Sequence, residues 1–141
     1  EVNPYQDRPD FDLYDLPERA SGHRLRELVL GISREEYFRR FYRRNLCVGK
    51  WSSPAARKRA VELCAEFPTQ TFVLFGKKVR DAFGLFGCDD FHVARGPMSG
   101  TSRSPVVLLP HPSGLCRVWN EPGAFDRARS ALRQAGVFCK Y

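Results

Sequence analysis

The sequence is poor in several things, and each shortage excludes a class of protein. No apolar run approaches the roughly 20 residues that a bilayer-spanning helix needs, so a transmembrane helix is excluded. None of the five cysteines is spaced C-x-x-C, which removes thioredoxin-type redox motifs and paired zinc knuckles. Their odd number argues for reduced, mostly buried thiols in an intracellular protein. No secretory leader is visible and no methionine opens the chain. Glu1 reads as mid-domain sequence, so a natural N-terminal strand is expected to precede it. Acidic residues are the scarcer sign, 16 against 23 Lys and Arg, and the net charge is +7. The resulting pI of about 9.5 suits a polyanionic partner, nucleic acid before membrane. Repeats and low-complexity tracts are missing too, and 43% hydrophobic residues is too many for a disordered chain.

What is present alternates between two periods. Residues 1–20 (NPYQDRPDFDLYDLP within them) keep neither period and read as a long functional loop. Ser21 is placed to cap a helix over 22–30, where Leu25, Leu28 and Val29 share a face. Ser33 and Glu36 form a capping box that opens SREEYFRRFYRR. In it Tyr37, Phe38, Phe41 and Tyr42 lie opposite Arg39, Arg40, Arg43 and Arg44, a face read as solvated. Asn45 to Val48 read as a short strand. Ser53-Pro54 reads as a cap followed by a first-turn proline, starting a helix to about Glu66. Thr71 to Phe75 is a continuous apolar strand, and Gly76 turns it into a helix over 77–84. A loop spans 87–104, with a short strand at 91–94. Val106 to Leu109 form the next buried strand, and Pro122 opens a last helix that ends before Gly136. Strands apolar on both faces, alternating with amphipathic helices, predict one α/β domain over 1–141 with a mostly parallel sheet covered on both sides. Ligands in such sheets bind at the carboxyl ends of strands. That rule draws together the loop at Asn3, the strand at Asn45 and the turn at His111.

The turn is the most unusual stretch. VVLLPHPSGLCRVWN runs four apolar residues into Pro110, then sets His111 between two prolines. Such a histidine either satisfies its turn or is held there as a donor for something else.

His111-Pro112-Ser113 after an apolar strand resembles a signature of the uracil-DNA glycosylase superfamily. Other motifs follow that family's order. Glu1-Val2-Asn3-Pro4-Tyr5 resembles its water loop, G-Q-D-P-Y in one branch and G-I-N-P-G in another. Tyr14-Asp15-Leu16-Pro17 loosely resembles its base-stacking F-x-N-P. Arg44-Asn45-Leu46-Cys47 is similar to its base-reading strand, and Leu74 to Val79 to its L-G-x-x-A strand-to-helix turn.

The resemblance implies a three-layer α/β/α sandwich and a DNA glycosylase that flips out uracil, or a related modified pyrimidine, and hydrolyses its N-glycosidic bond. Asn3 and His111 are then catalytic. Asn3 orients the water, although its amide lacks the charge of the usual carboxylate. His111 donates to the base oxygen as charge develops there. Tyr5, Tyr14 and Asn45 bind the base: Tyr5 crowds the thymine methyl, and the Asn45 amide matches O4 and N3–H of uracil. Ser113, Gly114, Leu115, Arg117 and Lys77 contact DNA, Leu115 as a wedge in the vacated stack. Lys78, Arg80 and Arg103 add non-specific attraction.

The departures are that Glu1 replaces the family's opening glycine and that the first strand is not in the chain. Some branches hold an iron–sulfur cluster with four cysteines. Cys47 and Cys64 suit one pair, but the upstream pair is not in the sequence, so no metal or cofactor is expected. The expected partner is DNA, bound by a monomer inside the cell and away from membranes. Two other readings stay open: a non-catalytic nucleic-acid-binding module, and a glycosylase for another modified base.

Overall fold

A computed structural model of the chain describes residues 21–47, 49–94, 105–113 and 115–140. Helix α1 (Ser21–His23) runs into a wider, π-type stretch (Arg24–Leu30), followed by α2 (Arg34–Arg40) and α3 (Ser53–Glu66). Then come β1 (Phe72–Phe75), α4 (Lys77–Ala82), β2 (His92–Ala94), β3 (Val106–Leu109), a 3-10 turn (Arg117–Asn120) and α5 (Ala124–Gln134). Among the described residues, no helix is long and apolar enough to cross a membrane.

The sheet is built around β3, whose four side chains are all buried. β1 pairs with it in parallel, from Phe72 opposite Val106 to Phe75 opposite Leu109. β2 pairs with its other edge antiparallel, His92 opposite Leu108. The strand alternates between two apolar clusters. Val107 and Leu109 pack with Leu25, Val29, Tyr37, Ala128 and Leu132. Val106 and Leu108 pack with Ala60, Leu63, Cys64, Leu74 and Phe83. The π stretch, α2 and α5 thus cover one face, while α3 and the residue that ends α4 cover the other. Each fully buried Leu or Val side chain contributes about 1.5–3 kcal/mol, so this one strand ties both layers together. Ala124, Ala128 and Ala131 give α5 a small-residue face that lies close over the sheet.

Several expected elements are borne out: the strands at 72–75 and 106–109, and the helices near 53–66, 77–82 and 124–134. The Ser33 cap holds, its side chain accepting from the Glu36 N–H at 3.1 Å. Three expectations are corrected. Asn45 to Cys47 form no strand; Arg44 folds back over the Tyr42 ring at 4.1 Å, and Gly49 (φ 74°) turns the chain soon after. Among the described residues β1 is therefore an edge, and one of the two strand pairings is parallel. The cap of α3 is Ser52, not Ser53: Ser52 has extended backbone and its side chain accepts from Ala55 N–H. Finally, the helix over 22–30 is mostly π-type, closed by Gly31 in the left-handed region (φ 64°). Its last carbonyls are taken up by distant donors. Arg129 donates to Leu28 and Val29, and the Lys140 N–H donates to Leu30 at 2.9 Å. Helix-end carbonyls need such partners, and here tertiary structure supplies them.

All five cysteines are free thiols. Cys64 and Cys139 are buried, and burial pushes both thiols above their ordinary range.

The central role of β3 is testable. Leu108→Ala is expected to cost about 2–5 kcal/mol in urea unfolding, because it opens a cavity beside α3. Phe86→Ala, at a residue 64% exposed, is expected to stay within about 0.5 kcal/mol of the parent.

Candidate functional site

The turn after β3 begins where the main-chain ladder makes one more bond. Gly76 N–H donates to the Leu109 carbonyl at 3.0 Å, one residue beyond β1. Two parallel neighbours therefore deliver Gly76 and His111 to the same carboxyl end of the sheet. Pro110 and Pro112 are buried, and the His111 side chain between them is exposed. Two buried rings with fixed φ anchor the backbone on either side of an imidazole that faces solvent.

The imidazole is held on two sides. Gly76 lies against it: a β-carbon there would be in ordinary van der Waals contact, 3.4 Å from His111 Cβ and 3.5 Å from Cδ2. Gly76 also has φ 85° and ψ 161°, a region open essentially to glycine alone. On the other side, Ser113 N–H donates to His111 Nδ1 at 3.2 Å. Because Nδ1 accepts, the neutral ring carries its proton on Nε2.

The turn's carbonyls are held from within the protein. Trp119 Nε1 donates to the His111 carbonyl at 2.9 Å. Arg24 Nη1 donates to the Pro112 carbonyl at 3.0 Å and to the Ser113 carbonyl at 2.7 Å. Cys116 N–H also donates to Ser113 O, at 3.1 Å. The Arg24 guanidinium lies over the Trp119 indole, 5.9 Å from its centroid. Trp119 is 4% exposed, stacked on Phe125 and met edge-on by Phe91. With these three carbonyls occupied, one side chain the turn offers to solvent is a hydrogen-bond donor, the His111 Nε2–H. A donor of this kind suits a ligand edge that accepts, such as a carbonyl oxygen or an oxyanion.

The predicted residues fall into three groups. His111, Ser113, Leu115 and Arg117 are brought together along this turn. Leu115 stands out at 83% exposed, and Arg117 is exposed at the start of the 3-10 turn. Lys77 lies beside them, next to Gly76, with its ammonium 2.9 Å from Asp81. Asn45 is exposed in the irregular segment after α2 rather than at a strand end. Asn3, Tyr5, Tyr14, Gly114 and Arg103 lie outside the described residues.

Arg80 is corrected. It is buried, donating to the Cys88 carbonyl at 2.9 Å and pairing with Asp90 at 3.1 Å, so it secures a loop and does not face a ligand. Of the arginines expected on a solvated face, Arg39 and Arg44 are exposed, while Arg40, Arg43 and Arg44 also lie over rings. Arg43 lies over Phe38 at 4.3 Å, and Arg40 over Phe41 at 5.4 Å. Arg24 and Trp119 were missed from the sequence. Trp119 carried a weak signal as the large aromatic just after the turn. Arg24 carried none, because its partners lie 88 and 89 residues away.

Among the described residues no group of three or more His, Cys, Asp or Glu is placed to hold a metal ion. Comparison with family models, curated proteins and solved structures finds no match to this chain.

The Gly76–His111 contact yields a prediction. Gly76→Ala is expected to cost about 1–3 kcal/mol in urea unfolding, from its backbone conformation alone. The same variant is expected to set a methyl against the imidazole, read as shifted His111 ring signals in NMR.

Proposed function

We propose that the chain is a monofunctional DNA glycosylase. On this reading it takes uracil, or a related modified pyrimidine, out of the stack and hydrolyses its N-glycosidic bond, leaving an abasic site. The observation that carries the reading is the exposed His111 imidazole, held at a strand's carboxyl end with Nδ1 occupied and Nε2 left as the donor. The layers on both faces of the sheet support a three-layer α/β/α sandwich of the uracil-DNA glycosylase kind, and the parallel β1–β3 pairing is the observation that favours a mostly parallel sheet.

The chemistry follows from the bond that breaks. The electron pair of the C1′–N1 bond leaves with the pyrimidine, and its negative charge spreads to the ring oxygens. A donor fixed beside O2 stabilises that charge without reorganising as it forms. Water adds to C1′ of the cationic sugar and loses a proton, and the departing base gains one. Asn3 orients this water, Tyr5 and Tyr14 enclose the base, and the Asn45 amide reads its edge. Leu115 fills the space that the base vacates, while Ser113, Gly114, Arg117 and Lys77 hold the backbone. The net charge of +7 supports attraction to DNA phosphates. The chain acts as a monomer, inside the cell, without a cofactor.

One sequence feature favours the binding-module alternative: Asn3 brings no negative charge to the cationic sugar. A single assay separates the readings. Oligonucleotides bearing uracil, G·U pairs and modified pyrimidines are incubated with the protein, and abasic sites are then cut with alkali. Cleavage at uracil is the expected result. Cleavage only at another base moves the assignment to that base, and binding without cleavage gives the module reading. His111→Ala is expected to lower the cleavage rate by about 10²–10³ while DNA affinity, which is dominated by phosphates, stays nearly intact. Equal rates for variant and parent remove His111 from the chemistry. Leu115→Ala is expected to slow cleavage of duplex DNA more than of single strands, since only a duplex needs the vacated stack filled.

A further inference from the structure

We infer that Arg24 is a positioning residue that sets which nitrogen of His111 carries the proton, acting through a single peptide plane. In a trans peptide the C=O and the following N–H point in opposite directions. Arg24 Nη1 holds the Pro112 carbonyl towards the protein at 3.0 Å. The N–H of the same peptide belongs to Ser113 and so points the other way, onto His111 Nδ1 at 3.2 Å. With Nδ1 used as an acceptor, the neutral ring keeps its proton on Nε2, the exposed side.

The guanidinium suits this task better than an ammonium would. It donates to two successive carbonyls, Pro112 and Ser113, from one nitrogen while its central carbon lies over the Trp119 indole. Trp119 itself bonds the His111 carbonyl. That carbonyl belongs to the peptide leading into Pro112, which has no N–H to aim. Trp119 therefore steadies the turn, whereas Arg24 directs the one amide that faces the ring. The consequence for chemistry rests on the glycosylase reading of His111, but the tautomer itself does not.

The test is nitrogen NMR of the full chain labelled at histidine, with the signals of His111 identified by their loss in His111→Gln. In the parent, with the ring neutral, Nδ1 is expected to read as unprotonated and Nε2 as protonated. In Arg24→Gln the two nitrogens are expected to move towards each other, as a mixture of tautomers requires. Trp119→Phe, which keeps a ring beneath the guanidinium, is expected to retain the parent pattern. If uracil is cleaved, kcat of Arg24→Gln is expected to fall at least about tenfold with KM little changed, since the loss is one of orientation. Arg24→Lys is expected to restore part of both readouts, and it carries the test if Arg24→Gln does not fold. The inference is overturned if the parent shows no single Nε2–H tautomer, or if folded Arg24→Gln shows the parent's. It is also overturned if Trp119→Phe mixes the tautomers as much as Arg24→Gln, because general loosening of the turn then explains both. If the tautomer responds as expected and no oligonucleotide is cut, the positioning role stands and the glycosylase reading falls.

Discussion

A strand without a polar side chain cannot end at a surface unless its backbone is received there, and that constraint organises this molecule. Val106 to Leu109 bury both faces, which obliges helices to cover the sheet on each side. The same burial brings the strand's last peptide groups to the boundary with solvent. There the chain meets them with two buried prolines and places the carbonyls of His111, Pro112 and Ser113 under donors from Trp119 and Arg24. The packing of the core and the presentation of the imidazole are thus consequences of one strand. The polar requirements of its end are met on the protein's side, which leaves the ring free to meet something else.

Much of the fold was legible where the signal is local. FVLF and VVLL announce buried strands because every side chain in them is apolar. Ser33 announces a helix because its hydroxyl reaches an N–H three residues on. Signals that are nearly local misled by small amounts: Ser52 and Ser53 both suit a cap, and backbone conformation chose the first. The segment at Asn45 looked like a strand because Leu46, Cys47 and Val48 are apolar. A short apolar run becomes a strand only when a neighbour pairs with it, and here Arg44 turns back onto Tyr42 instead. The π-type winding of Arg24–Leu30 had no local cause to read, since the donors at its end are Arg129 and the Lys140 amide.

The candidate site divides in the same way. His111 was legible because both prolines that hold it are its neighbours in sequence. Gly76 was legible as a turn, but its role as the surface against the imidazole depends on β1 lying parallel to β3. Arg80 looked like one more surface cation beside Lys77 and Lys78, until Asp90 and the Cys88 carbonyl drew it inward. Arginines are assigned to surfaces by default, and an interior one is found only through the acceptors that wait for it.

The bonds that close the π-type stretch have a further meaning for the order in which the chain assembles. The terminal carbonyls of the stretch that carries Arg24 are received by donors distant in sequence, Arg129 of α5 and the Lys140 amide. During vectorial synthesis the Arg129 donor emerges 100 residues after the Val29 carbonyl that it meets. Until then the nascent stretch lacks the donors that receive its last carbonyls in the folded chain. This layer over the sheet therefore closes as a long-range event of high contact order. Disturbing the Arg129 or Lys140 donors would therefore reach across the fold, because they receive the carbonyls that end the Arg24–Leu30 stretch.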